Sequence, residues 1–165
     1  MTMLHSAFRL LPFLLLLCCM ACQQDTTPAL KPLNLLEHGV PITIMAPDSA
    51  EVKASDIMGL KDITVKKDDF AIQIFSSNAN TTSVAKVLEG QKDIVKELSS
   101  FSKMVKEEED AFIFETVIDT LKSHDFRHVQ IKGDKEYIFQ TGYLGDYDLE
   151  KVEFLLNAVR PSPAQ

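Results

Sequence analysis

Short runs that alternate apolar and polar residues, bounded by turn-forming residues, constrain this 165-residue chain more than any other feature. Phe70 to Ser76, Ala111 to Asp119, Phe126 to Lys132 and Glu136 to Thr141 follow the sheet period of two, as do the shorter Ile42 to Ala46, Ile63 to Lys66 and Phe101 to Lys106. Gly133-Asp134-Lys135 separates two of these runs tightly enough for a hairpin, with Gly or Asp supplying a positive φ. The runs from Ala111 to Thr141 therefore read as an antiparallel meander. Within Phe70 to Ser76, the side chains of Phe70, Ile72 and Ile74 share one face, and those of Ala71, Gln73 and Phe75 the other. Ala111 to Asp119 is two-sided in the same way, with Phe112, Phe114 and Ile118 opposing Ile113 and Val117. A sheet with one wet face alternates cleanly, so apolarity on both faces calls for layers on both sides or for a binding surface.

Two segments carry helical spacing and supply those layers. Val84, Val87, Leu88, Ile94, Val95 and Leu98 recur at three and four residues, with Lys86, Glu89, Lys92, Asp93, Lys96 and Glu97 opposite them. Asn80 to Ser83 offers N-caps, and Gly90 inside the pattern costs up to about 1 kcal/mol relative to Ala. The second helix runs from about Asp148, its cap, to Val159, with Pro161 as its stop. The expected fold is α+β: an antiparallel sheet with helices packed on it, arranged as a three-layer α/β/α sandwich.

The N-terminus has a different character. After Met1 to Arg9, with one fixed positive charge, Leu10 to Ala21 contains no charge. Twelve residues including Pro12 fall short of the roughly 20 needed for a membrane-spanning helix, and they match the apolar core of a cleavable signal peptide. The run ends in small Ala21, then Cys22, then polar Gln23-Gln24-Asp25. This resembles the signal of bacterial lipoproteins, in which a small residue precedes a cysteine that receives a thioether-linked diacylglycerol and becomes the new N-terminus. Cys22 matches that cysteine. The family usually has Leu three residues before it, where this chain has Cys19; Cys18 and Cys19 are the alternative lipidation sites. The resemblance implies a signal peptide over 1–21, a bilayer partner held through acylated Cys22, and residence in the bacterial cell envelope. In lipoproteins resembling those of well-studied Gram-negative bacteria an Asp after the cysteine retains the protein at the inner membrane, so Gln23 favours the outer membrane. Two acyl chains hold a protein stably where one is marginal.

All three cysteines lie at or before position 22, so a chain cleaved there keeps one and forms no internal disulfide. Pro28 and Pro32 mark 22–40 as a lipidated N-terminus and tether, from which Leu35 and Leu36 dock against the fold. A single α+β domain over 41–160 and a tail over 161–165 complete the expected organisation. The opening Pro41-Ile42-Thr43-Ile44-Met45-Ala46-Pro47, the central helix, the meander and the helix Leu149 to Val159 resemble, in their order, PsbP-like domains. That superfamily includes photosystem subunits, nuclear-transport adaptors and lipoproteins, which implies a binding or adaptor role rather than catalysis.

With 17 Lys/Arg against 24 Asp/Glu the net charge is −7, which argues against a nucleic-acid partner. No P-loop, G-x-G-x-x-G or G-x-S-x-G motif is present. His124, Asp125 and His128 are the residues a small hydrolase or metal-dependent enzyme would use; on a strand the two histidines stand about 13 Å apart, and they read as a turn and a surface position. Glu107 to Asp110 reads as a solvated turn held open by repulsion, Asp68-Asp69 as a hairpin tip, and Asp146, Asp148 and Glu150 as helix N-terminal acids rather than a calcium loop. Tyr137, Phe139, Tyr143 and Tyr147 gather near the last strand-to-helix turn and form the expected ligand or partner surface. The sequence thus points to a membrane-anchored, non-enzymatic binding or adaptor domain, with no cofactor or metal expected and an envelope protein or small ligand as partner.

Overall fold

A computed structural model describes residues 29–143 and 145–160. The expected leader 1–21, Cys22 with its alternatives Cys18 and Cys19, and the tail 161–165 lie outside the described residues. The fold is α+β. Strands β1 (Leu30–Asn34) and β2 (Thr43–Pro47) form a two-stranded ladder of their own. They are followed by β3 (Glu51–Ile57), β4 (Leu60–Lys67), β5 (Phe70–Asn78), α1 (Val84–Lys96), β6 (Phe101–Glu107), β7 (Ala111–Ile118), β8 (Leu121–Lys132), β9 (Lys135–Thr141) and α2 (Leu149–Val159). Seven strands make one sheet in the order β3-β4-β5-β9-β8-β7-β6, with every ladder antiparallel. Two meanders, β3 to β5 and β6 to β9, meet at the central β5–β9 pair, and α1 carries the chain from that centre to the far edge.

Register places the core on both faces. Ile63, Ile74, Phe139, His128 and Ala111 form one continuous cross-strand row. Their face packs with Phe126, Val152, Leu155, Leu156 and Val159, and with Leu35, Val40, Ile42 and Ile44 from the β1–β2 region. The opposite parity of β7, Phe112 and Phe114, packs with Val129 and with Leu88 and Val95 of α1. Ser83 caps α1, its hydroxyl accepting from the Lys86 amide, and the Asp148 carboxylate caps α2 by accepting from Lys151 N. Gly133 turns β8 into β9 at φ 64, the positive value expected of that hairpin.

One expectation is corrected, and one strand had no counterpart in the sequence reading. The packed unit starts at Leu30 rather than at Pro41, because part of the stretch expected as tether is strand β1, and Leu35 and Val40 are fully buried. Pro32 had argued against a strand. It is tolerated because β1 pairs only with β2, so no second ladder needs the missing N–H. Strand β3 was not expected at all: it is an edge with both faces largely exposed, so no apolar alternation betrays it.

Candidate functional site

Three connections meet at one end of the sheet: the β3–β4 turn, the β8–β9 turn, and the segment Gly39 to Pro41 that leads from a 3₁₀ turn, Leu36–His38, into β2. They enclose an open cleft of about 370 Å³ whose lining includes Asp56, Lys61, Ser76, Lys132, Asp134, Lys135 and Tyr137. The register explains the gathering. Lys61 of β4 lies opposite Ser76 of β5, which lies opposite Tyr137 of β9, so the three side chains stand in one row that runs from buried Tyr137, at the margin of the larger apolar cluster, out to Lys61. Lys132 and Lys135 are cross-strand partners that close the β8–β9 hairpin.

Each of the three ammonium groups is held by a neutral acceptor. Lys61 Nζ donates to the His38 carbonyl at 3.2 Å, Lys132 Nζ to the Pro41 carbonyl at 2.7 Å, and Lys135 Nζ to Asn78 Oδ1 at 2.6 Å. Among the described residues none of them forms an ion pair with a carboxylate, although Asp56 is directly opposite Lys61. Asp56 instead accepts from the Gly59 amide at 3.3 Å. Gly39, at φ 80, lies so close beneath Lys61 that a Cβ there would collide with the ammonium group. At the inner wall Tyr137 is buried and hydrogen-bonded to Ser76. Burial, and to a lesser extent the Asp134 charge, push its phenol above the ordinary value, so it remains a protonated donor near neutral pH.

The four aromatic residues expected to form one surface are dispersed. Only Tyr137 lines the cleft. Phe139 is core, its ring 5.1 Å from that of His128; Tyr143 is 76% exposed, and Tyr147 is buried. Strand alternation and the turn after β9 send these side chains to different environments, so closeness in sequence does not become a shared surface. The lysines were not expected, because Lys61 comes from a different turn than the Lys132–Lys135 pair and the three form no linear motif; the hairpin at Gly133 was the one feature that placed two of them together.

His124, Asp125 and His128 do not converge either. His124 Nδ1 donates to the Tyr147 carbonyl at 3.3 Å, and its Nε2 is 3.9 Å from Glu115. Asp125 Oδ1 accepts from Thr141 N and Oγ1 at 3.0 and 2.7 Å, while Oδ2 takes Arg127 at 2.6 Å. His128 is not the surface residue expected but is 1% exposed. Its Nδ1 donates to the Asp110 carbonyl at 3.0 Å, and Gln130 Nε2 donates to its Nε2 at 3.0 Å and to the Val159 carbonyl at 3.3 Å. Desolvation lowers its pKa against the opposing pull of the Asp110 charge, in keeping with a neutral imidazole.

Glu107 to Asp110 is also corrected, since three of its four members find cations and Glu109 alone stays exposed in the turn. Glu107 pairs with Lys92 at 2.6 Å, Glu108 with Lys106 at 3.0 Å and with Arg160, and Asp110 with Arg160 at 2.6 Å. Asp68-Asp69 is the β4–β5 hairpin tip, with Asp69 paired to Lys151 at 2.6 Å. Among the described residues no group of three His, Cys, Asp or Glu side chains is placed to hold a metal, and no helix is long and apolar enough to cross a membrane.

No protein-family model matches the chain, and the comparison with curated proteins finds no match.

Proposed function

We propose that the chain is a lipid-anchored binding domain of a bacterial envelope, tethered through Cys22 to a membrane, with the outer membrane favoured by Gln23. In this reading its role is non-enzymatic. A small ligand or envelope protein engages the lysine-rimmed cleft, and the fold is a three-layer α/β/α sandwich of the PsbP-like kind. Support for the sandwich comes from the two apolar clusters on opposite sheet faces, each holding one helix.

The observation that carries the tethered arrangement is polarity. Lys31, beside the first described strand residue, pairs with Asp48 at 2.8 Å, and Lys67 donates to the Asp48 carbonyl, so the chain joins the fold at the β4–β5 end of the sheet. The cleft opens at the β3–β4 end. The eight residues of β4 separate these ends by about 25 Å. Cys22 precedes Leu30 by eight residues, a reach of at most about 28 Å. An anchor there would join the domain at the end of the sheet opposite the cleft.

Cell fractionation tests the anchor. Wild-type chain is expected in the membrane fraction, and Cys22→Ser is expected in the soluble fraction with an unchanged unfolding midpoint. A Cys22→Ser chain that stays with the membrane, or acylation mapped to Cys18 or Cys19, would overturn the assignment.

A further inference from the structure

We infer that the cleft is a phosphate-binding site, in which Lys61, Lys132 and Lys135 hold one phosphate group and the Ser76 and Tyr137 hydroxyls complete its hydrogen bonds. This deepens the reading of the cleft as the binding site and is independent of the anchor at Cys22.

The argument begins with donors. An ammonium group has three N–H donors, and each of these lysines is seen to use one, on a neutral oxygen. Charge comes next. Three cations against Asp56 and Asp134 leave this cleft net positive in a chain whose overall charge is −7. Lys132 and Lys135 are direct cross-strand partners, an arrangement that like charge makes unfavourable and that a bound anion would relieve. The donor type then selects among anions. Flexible lysines act as point charges suited to a tetrahedral phosphate, whereas a planar carboxylate is matched better by the guanidinium fork, which this cleft lacks. Asp56 and Asp134 disfavour a polyanion and would accept hydrogen bonds from hydroxyl or amine groups carried by a phosphate ester.

The phosphate could belong to a soluble ester or to a lipid headgroup. Exposed Ile57, Met58 and Leu60 neighbour Asp56, Gly59 and Lys61 of the cleft lining in sequence, so an acyl chain leaving the cleft on that side would meet apolar side chains.

Calorimetric titration of the full chain in a neutral maltoside detergent, with inorganic phosphate and with dihexanoyl phosphatidic acid as probes, tests this. One phosphate is expected to bind per chain, to raise the thermal midpoint, and to weaken with salt. Each single Lys→Gln change is expected to weaken binding about five-fold, and the triple change about a hundred-fold. Tighter binding of the phosphatidic acid by about ten-fold or more assigns the lipid source, and similar affinity assigns a soluble ester. Absence of saturable phosphate binding by folded wild-type chain, or undiminished binding in the triple variant, would overturn the site. If the triple variant fails to fold, Lys135→Gln decides, because the ammonium it removes is bonded to Asn78 at the surface. Cys22→Ser should bind phosphate as wild type does, so failure of the site and failure of the anchor are read separately.

Discussion

The two helices pack in two separate apolar clusters and are bound to the sheet very differently. Helix α2 buries Val152, Leu155, Leu156, Ala158 and Val159 among its 11 residues, whereas α1 buries only Leu88 and Val95 among 13 and leaves Ile94 56% exposed. The α2 face is also covered by residues of the β1–β2 region, and both helix ends are tied to the sheet and its turns: by the Lys151–Asp69 pair at the start, and by Arg160 and the Val159 carbonyl at the finish. The lesson is that amphipathic pattern predicts a helix's existence better than its share of the core. Stability should be concentrated on the α2 face, and the α1 face should open more readily.

The largest expected effect tests that division directly. Leu155→Ala should cost about 4 kcal/mol, near the upper part of the range for buried leucines, because it opens a void inside the larger cluster. Leu88→Ala should cost about 2 kcal/mol, since α1 can settle toward a thinner layer. Urea unfolding of both variants measures the difference, and equal losses would remove the distinction between the faces.

Next in size is the fastening at the end of α2. Arg160→Ala leaves Glu108 and Asp110 without their shared cation, and because both carboxylates are partly exposed the cost should be about 1 kcal/mol, seen as a lower urea midpoint. Glu108 keeps its Lys106 contact, which limits the loss.

A pH profile sharpens the same contrast. The folded pKa of His128 is lowered by burial, so its contribution is fully present above the unfolded value of about 6.5 and is lost as pH falls below it. Between about pH 7.5 and pH 5.5 wild-type stability should therefore decline, and it should decline less in His128→Gln. At lower pH Glu108 acts in the same direction: its pKa is held down by hydrogen bonds from Lys106 and Arg160, so that stabilisation is lost as acid protonates the carboxylate. Identical pH slopes in wild type and variant would show that His128 does not report on this end of α2.

Much of the architecture was legible in the sequence, and the omissions have physical causes. β5, β7, β8, β9 and both helices were visible because burial of a defined face imposes a period. β3 was not, since an exposed edge imposes none. β1 was hidden by Pro32, whose usual exclusion from sheets lapses on an unpaired edge. Among candidate site residues Tyr137 was found as an aromatic near the final turn. Lys61 and Lys132 could be joined to it only by knowing that the 38–41 segment lies against both strands. His128 looked like a surface residue because alternation alone does not reveal that Asp110, Gln130 and Phe139 enclose it.

The smallest expected effect has the opposite sign and probes α1 alone. Gly90 sits inside α1 with open space where a Cβ would be, so alanine adds no clash. It also removes backbone freedom from the unfolded chain, and helix propensity favours it by up to about 1 kcal/mol. Gly90→Ala should raise stability by about 0.5 kcal/mol, less than the full propensity difference if α1 is partly open before global unfolding. Amide hydrogen exchange separates the two terms. Slower exchange confined to α1, with a small rise in the urea midpoint, would mean that the helix opens on its own; an equal gain in α1 and α2 would mean that both faces unfold as one unit.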